Sequence, residues 1–200
     1  MMETKRNPWI SIADLLSSVV LVVLLLFVMA ALAPKYSIEM QRLKMMSQFN
    51  TDLNDYALKG QLKVYVDKSI LEFTSVTFDQ GSAKLNDNTN ALVEDIAVKL
   101  KQYMSEHPSM EILIEGHTDP MPVTALRNVG GYYENNIQLS SLRAANVRKA
   151  LLKHMGNDYA KRIGVAGYGE TRLKNFKDKY SAENRRIEIR ILWDGNDKSK

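Results

Sequence analysis

The chain contains no cysteine. That absence removes disulfides, thiolate nucleophiles, zinc ribbons and iron–sulfur clusters together. Proline and glycine are scarce, at 5 and 10 of 200 residues, which excludes collagen-like and low-complexity architectures. No Walker loop, dinucleotide fingerprint or Gly-x-Ser-x-Gly elbow is present. His107, His117 and His154 show no metal-ligand spacing. Charge of one sign is not concentrated either: 27 Lys and Arg stand against 23 Asp and Glu, a net +4. Basic runs are as short as Asn184-Arg185-Arg186, where a nucleic-acid-binding stripe would be denser. Enzymatic activity, a cofactor, a metal site and a nucleic-acid partner are therefore not expected.

What is present is a globular composition, 45% hydrophobic and 25% charged, at a length that accommodates one ordinary domain with something attached. The attachment is apolar. From Trp9 to Ala33 the only charged residue is Asp14, and Val19 to Ala33 is unbroken apolar. That inner run covers only about 22 Å of helix, short of a hydrocarbon core of roughly 30 Å. The span must include the stretch carrying Asp14; taken from Trp9 it reaches about 37 Å, with Trp9 an interface anchor. Lys5 and Arg6 before the run and Ala30-Ala31-Leu32-Ala33 at its end also suit a cleaved signal peptide. The excess length and the internal carboxylate favour a retained transmembrane helix over 9–33. Lys5 and Arg6 on one side face Lys35, Arg42 and Lys44 on the other, so positive charge does not orient the span. Residues 1–8 are the simpler cytoplasmic end, because a domain must fold on the far side.

An aspartate at a helix centre costs about 2.5 to 3.5 kcal/mol on insertion scales and generally faces protein or water. Ser11, Asp14, Ser17 and Ser18 recur at spacings of three and four, which places hydroxyls and carboxylate on one helical face. Two readings stand. Asp14 lies near the interface, about 7.5 Å along the axis from Trp9, or it is an ion relay, neutral against a dry wall and charged when a wet path opens.

Pro8-Trp9-Ile10-Ser11-Ile12-Ala13-Asp14-Leu15-Leu16 resembles the start of the B subunit of ion-driven rotary stators, the MotB-like family, and of the related Zorya anti-phage motor. The resemblance implies that Asp14, with Ser11 and Ser18, carries a transported proton or sodium ion. It also implies that two copies of this chain stand inside a pentameric ring of multi-span A subunits in the bacterial inner membrane.

Residues 34–60 are rich in helix formers, and Pro34 suits a first helical position. Met46, Phe49, Leu53 and Tyr56 recur at three, four and three, a seam suited to another helix. It fits a helix lying on its own domain, a parallel dimer seam, or, as the stator resemblance implies, a plug.

Beyond Gly60 the pattern alternates between strand and helix. Leu62 to Val66, Ile70 to Phe78, Met110 to Glu115, Ile163 to Tyr168 and Arg186 to Trp193 read as strands. Asn88 to Glu106 and Ser141 to Met155 read as helices, with Ser140 the N-cap of the second. The expected class is α+β: a transmembrane helix, a helical connector, and an α/β sandwich over 61–194 with both helices on one face, then a flexible tail over 195–200.

Two residues look out of place for stability alone. Arg143 would fall in the first turn of its helix, where the macrodipole disfavours a cation and asks for a compensating anion. Asp119 ends a strand and opens a long loop holding Pro120, Pro122, Gly130 and Gly131, where binding groups are displayed. The pair fits an internal salt bridge. It equally fits a zwitterion clamp, Asp119 taking an ammonium while Arg143 and the helix N-terminus take a carboxylate.

Ile114-Glu115-Gly116-His117-Thr118-Asp119, Leu139-Ser140-Ser141-Leu142-Arg143-Ala144, Gly167-Tyr168-Gly169-Glu170 and Asn184-Arg185-Arg186-Ile187-Glu188 are similar, in order, to the OmpA-like peptidoglycan-binding domain. That resemblance implies that Asp119 and Arg143 hold the diaminopimelate of a peptide stem, with Thr118 and Arg185 nearby. His117, despite its place in the motif, reads as a packed or hydrogen-bonded residue, not a ligand. The long loop after Asp119 and Leu173, where a proline often stands, depart from the pattern. Two functions fit the whole: a stator-type motor subunit gripping peptidoglycan, and a passive tether of inner membrane to cell wall.

Overall fold

The computed structural model describes residues 8–74, 78, 82–123 and 134–193. Residues 1–7 of the expected cytoplasmic end, the expected tail over 195–200, positions 75–77 of the expected second strand and most of the loop after Asp119 lie outside them. Two compact units make up the chain, Met1–Gln41 and Arg42–Lys200.

Helix α1 runs over Pro8–Asp52, and its apolar part is the one helix among the described residues long and apolar enough to cross a membrane. Large side chains from Trp9 to Leu32 are exposed on every side, the pattern of a helix suited to a lipid surrounding. Pro34 lies inside it rather than opening a new helix. Proline has no N–H to donate, so one helical hydrogen bond is missing there.

In the second unit the seam expected on the connector is occupied by the chain's own domain. Met45, Met46, Phe49 and Leu53 are buried in the main core, and Phe49 meets the Tyr103 ring at 5.4 Å. Helix α2 (Asn54–Leu58) follows, and Tyr56 donates its hydroxyl to Asp95 at 2.6 Å. Of the three readings of the seam, the structure shows the helix lying on its own domain.

Strands β1 (Leu62–Tyr65) and β2 (Ile70–Phe73) form a hairpin, followed by α3 (Asp87–Glu106), β3 (Glu111–His117), α4 (Asn136–Met155), β4 (Ile163–Gly167) and β5 (Arg186–Leu192). The sheet order is β1-β2-β5-β3-β4, with β3 and β4 parallel and the other neighbours antiparallel. Strand β2 stops at Phe73, short of the expected Phe78, which instead bridges to Leu85. Leu71, Phe73, Ile112, Ile114, Ile187, Ile189 and Ile191 point to one face, and the apolar stripes of α3 (Leu92, Ile96, Leu100) and α4 (Ala144, Val147, Leu151) complete one core with them. This is the expected α/β sandwich.

Helix α4 starts five residues before the expected position. Its N-cap is Asn135, whose side chain accepts from Gln138 N, so Ser140 is not a cap and Arg143 lies two turns in. The helix dipole therefore makes no demand on Arg143, because its effect fades within the first turn. Two glycines let this helix press on the sheet. A Cβ on Gly116 would stand 2.1 Å from the Ser140 carbonyl oxygen, and one on Gly167 would stand 2.1 Å from Ser141 Oγ. Only a hydrogen fits there. The contact lets Ser140 Oγ accept from Gly169 N at 2.9 Å, joining α4 to the turn after β4.

Because Phe49 is fully buried, Phe49→Ala should destabilise the second unit by about 3–5 kcal/mol. Denaturant unfolding of the full chain in detergent, followed by a domain-specific probe, measures this; a loss under about 1 kcal/mol would show that α1 does not belong to that core.

Candidate binding site at the end of strand β3

Where β3 runs out, the backbone is pinned from two sides. Tyr168 N donates to Gly116 O at 2.9 Å and Thr118 N to Gly169 O at 3.0 Å. Asp119 follows, buried. One carboxylate oxygen accepts from Met121 N at 3.2 Å, and the other accepts from Arg185 Nη1 at 2.6 Å. Asn136, the first residue of α4, donates its amide to Asp119 O at 3.3 Å and Met121 O at 3.2 Å. The N-terminus of α4 is thus tied to the Asp119 turn, as a clamp of carboxylate and helix end requires.

Thr118 is buried and its Oγ1 has no hydrogen-bond partner among the described residues. Arg143, also buried, donates Nε to Ser82 O at 2.9 Å and lies 5.1 Å from the centroid of the Phe78 ring. Asn146 donates to Ala83 O at 2.7 Å, so α4 holds the 82–85 segment by two side chains. The ion pair that the structure gives Asp119 is to Arg185, where the sequence suggested Arg143. Asp14, Ser11 and Ser18 belong to the other unit. There Ser17 Oγ donates to the Ala13 carbonyl, and Ser18 Oγ donates to Leu15 O at 2.8 Å.

The face of the sheet away from the helices is ionic. Glu72 pairs with Glu188 across β2 and β5, and Glu188 with Glu115 across β5 and β3, so three buried glutamates form one cross-strand row. Like charges directly opposite are destabilising, and this row holds only because cations surround it. Arg190 grips Glu115 with Nε and Nη2 at 3.1 and 2.6 Å, Arg186 donates to Glu188 at 2.7 Å, and Lys174 reaches both oxygens of Glu72 at 2.6 and 2.7 Å. Arg172 lies 3.9 Å from Glu115 and stacks 3.5 Å from the Tyr168 ring.

His117 sits at the end of this row, 2% exposed, stacked on Tyr168 at 5.4 Å. Neither ring nitrogen has a hydrogen-bond partner among the described residues. Burial first, then the Arg186 charge, pushes its pKa down to about 3, so the ring stays neutral. Ligand atoms of Glu115, His117 and Glu188 lie within 4.8 Å of one another. They make a poor cation site, because the three glutamates of the row already meet four cationic groups and a metal would face net positive charge.

Sequence reasoning missed Asn136, Ser82, Phe78 and the glutamate row. Two signals were available. Asn135-Asn136 precedes the apolar period as a cap should, and Arg186-Ile-Glu-Ile-Arg-Ile191 alternates strictly, the mark of a strand with one apolar and one ionic face.

A five-stranded mixed sheet with an apolar face under helices and a charge-paired carboxylate at a strand end defines an α/β domain preceded by an apolar helix. The chain belongs to the OmpA family, whose model matches residues 77–189. It is 31% identical to the uncharacterised protein YtxE of Bacillus subtilis over 159 residues, 76% of this chain and 61% of that one. It is 30% identical to motility protein B of the same organism over 151 residues, 73% and 54% of the two chains. The chain thus spans little more than half the length of these curated relatives. In fold it is similar to the periplasmic domain of Helicobacter pylori MotB, with a TM-score of 0.54 and 23% identity over 68% of this chain and 83% of that one.

The neutral His117 has a linked pH dependence. The unfolded ring takes its proton near pH 6.5, the folded one only near 3, so stability is full above 6.5 and falls with pH between those values, by up to about 1.4 kcal/mol per pH unit. His117→Gln should flatten the slope of the urea midpoint between pH 6.5 and 4 relative to the parent chain. Parallel slopes would mean that His117 protonates in the fold.

Proposed function

We propose that this chain is the B subunit of a stator-type, ion-driven rotary motor, single-pass in the bacterial inner membrane, with its N-terminus cytoplasmic and its OmpA-like domain in the periplasm holding peptidoglycan. The observation that carries the wall-binding half is Asp119, a buried carboxylate at the end of β3 whose ion pair among the described residues is to the half-exposed Arg185. Arg185 is the solvent-facing member of that pair, with 38% of its side chain exposed. An ammonium arriving from solvent shares or takes over the carboxylate, while Arg143 and the amides at the start of α4 offer the complementary pole to a carboxylate. A diaminopimelate side chain carries both groups on one carbon. Thr118 Oγ1 is a further polar atom for the same ligand. The likeness to motility protein B over three quarters of the chain supports the motor setting, and the intrinsic chemistry is binding and ion transfer rather than catalysis on a substrate.

In this reading Asp14 carries the ion, proton or sodium, flanked by Ser11 and Ser18, at the seam between two copies of this chain and a pentameric ring of multi-span A subunits. Each elementary charge crossing 100 mV releases about 2.3 kcal/mol, which the anchored domain converts to torque by giving the ring something to turn against. The Leu-Leu-Ser-Ser run after Asp14 and the short connector favour a defence-type or other non-flagellar task. A passive tether explains the domain equally, and leaves Asp14 without a role.

Asp14→Asn should leave membrane insertion and wall retention intact while ion flux, measured in vesicles from cells that also carry the multi-span partner, falls to background; undiminished flux would favour the tether. In the full chain, Asp119→Asn and Arg143→Met should each cut retention on purified cell-wall sacculi ten- to hundredfold, in line with charge-assisted hydrogen bonds of about 1.5–3 kcal/mol. Thermal melting identifies any variant that has merely unfolded. Retention unchanged in both folded variants removes the clamp.

A further inference from the structure

The segment between β4 and β5 ends at the clamp and is held unusually firmly for a loop. Asn184, fully buried, accepts from Lys174 N and Asn175 N, each at 2.8 Å, and donates to the carbonyls of Asn175, Asp178 and Lys179 at 3.1, 3.2 and 2.8 Å. Asn175 accepts from Lys177 N and Asp178 N, and Asp178 accepts from Tyr180 N. Lys174, in the same segment, is bolted to Glu72 of the sheet.

On this braced frame two aromatic side chains face water, Phe176 at 74% and Tyr180 at 61% exposure. Burying either inward would recover about 1.5–3 kcal/mol, and the frame prevents it. Exposed aromatics on a rigid support are the residues that make binding contacts at low entropic cost. Their position says to what. Arg185 Nη1 donates both to Asp119 Oδ2 at 2.6 Å and to the Tyr180 carbonyl at 3.3 Å, so the aromatic frame adjoins the clamp through one guanidinium.

Resting on the peptidoglycan reading above, we propose that Phe176 and Tyr180 form a saccharide shelf: they stack on the apolar face of the sugar to which the clamped peptide stem is attached. The geometry suits it. Diaminopimelate is the third residue of such a stem, so two residues, about 7 Å of extended chain, separate it from the sugar's attachment, and the Tyr180 carbonyl already meets the clamp's Arg185 at 3.3 Å. Exposed Lys177 and Lys179 suit the free carboxylate that the intervening residues of the stem carry. An anionic lipid surface would also accept lysines and aromatics, but Asp178, exposed between them, would be pressed against like charge there.

The test uses the full chain in neutral-lipid nanodiscs and three probes: a disaccharide–tetrapeptide, the same tetrapeptide without sugar, and phosphatidylglycerol vesicles. The wild-type chain should bind the disaccharide form about tenfold more tightly than the bare peptide. The Phe176→Ser/Tyr180→Ser variant should bind both at the bare-peptide affinity with an unchanged melting temperature. The shelf is overturned by equal wild-type affinities, by a preference that survives in the double variant, or by vesicle binding that the double variant loses. Failure of the clamp reading is distinguishable: the bare peptide then binds neither protein, and the shelf falls with it.

Discussion

Three glutamates in one cross-strand row are the constraint around which the rest of this domain is arranged. Glu72, Glu188 and Glu115 face each other across β2, β5 and β3, and buried carboxylates without partners would each cost several kcal/mol. Arg186 and Arg190 come from the same sheet, but Lys174 and Arg172 come from the segment between β4 and β5. The sheet's need for cations therefore fixes that segment in place. The same segment delivers Arg185 to Asp119 and displays Phe176 and Tyr180. A stability requirement on one face of the sheet thus becomes the support of a binding edge. His117, stacked on Tyr168 beside the row, stays neutral because burial first, and then the Arg186 charge, disfavours its proton.

The opposite face obeys a different constraint, the distance of α4 from the sheet. Gly116 and Gly167 remove the two Cβ atoms that would hold it away. That approach places Asn136 against the Asp119 turn and Arg143 against Ser82. Helix, strand end and loop converge because each is pinned by its own short-range contact, so the site that the proposed function uses is built in advance, which would lower the ordering cost of binding.

Much of this was legible in the chain. Periodicity located α3, β3, β4 and β5 to within two residues, since each carries a strong apolar repeat of its own. The start of α4 was not, because Ser140-Ser141 mimics a cap five residues after the true one, Asn135. The Asp119–Arg185 pair was half legible: both residues stood out, but which cation meets the carboxylate depends on a loop whose path is set by Asn184, and buried hydrogen bonds of that kind leave no periodic trace. The seam of Met46, Phe49 and Leu53 was visible as apolar, while its partner could not be, since a stripe reports that a face is covered and not by what. It is covered by the domain, so these side chains are unavailable to a second copy while the core stays closed.

The two carboxylates on which the proposed function rests differ in one respect that decides their chemistry. Asp119 has its countercharge in the same chain, at 2.6 Å, and is suited to holding a cationic group. Asp14 has none within the apolar run: between Arg6 and Lys35 the sequence holds no basic residue, and the hydroxyls of Ser17 and Ser18 are directed to the helix's own carbonyls. A carboxylate in that position is stable in an apolar surrounding only when it is protonated, ion-bound or facing polar groups of another subunit. Holding a wall requires the first arrangement and moving an ion requires the second, so a chain that carries both is better suited to a motor than to a peg.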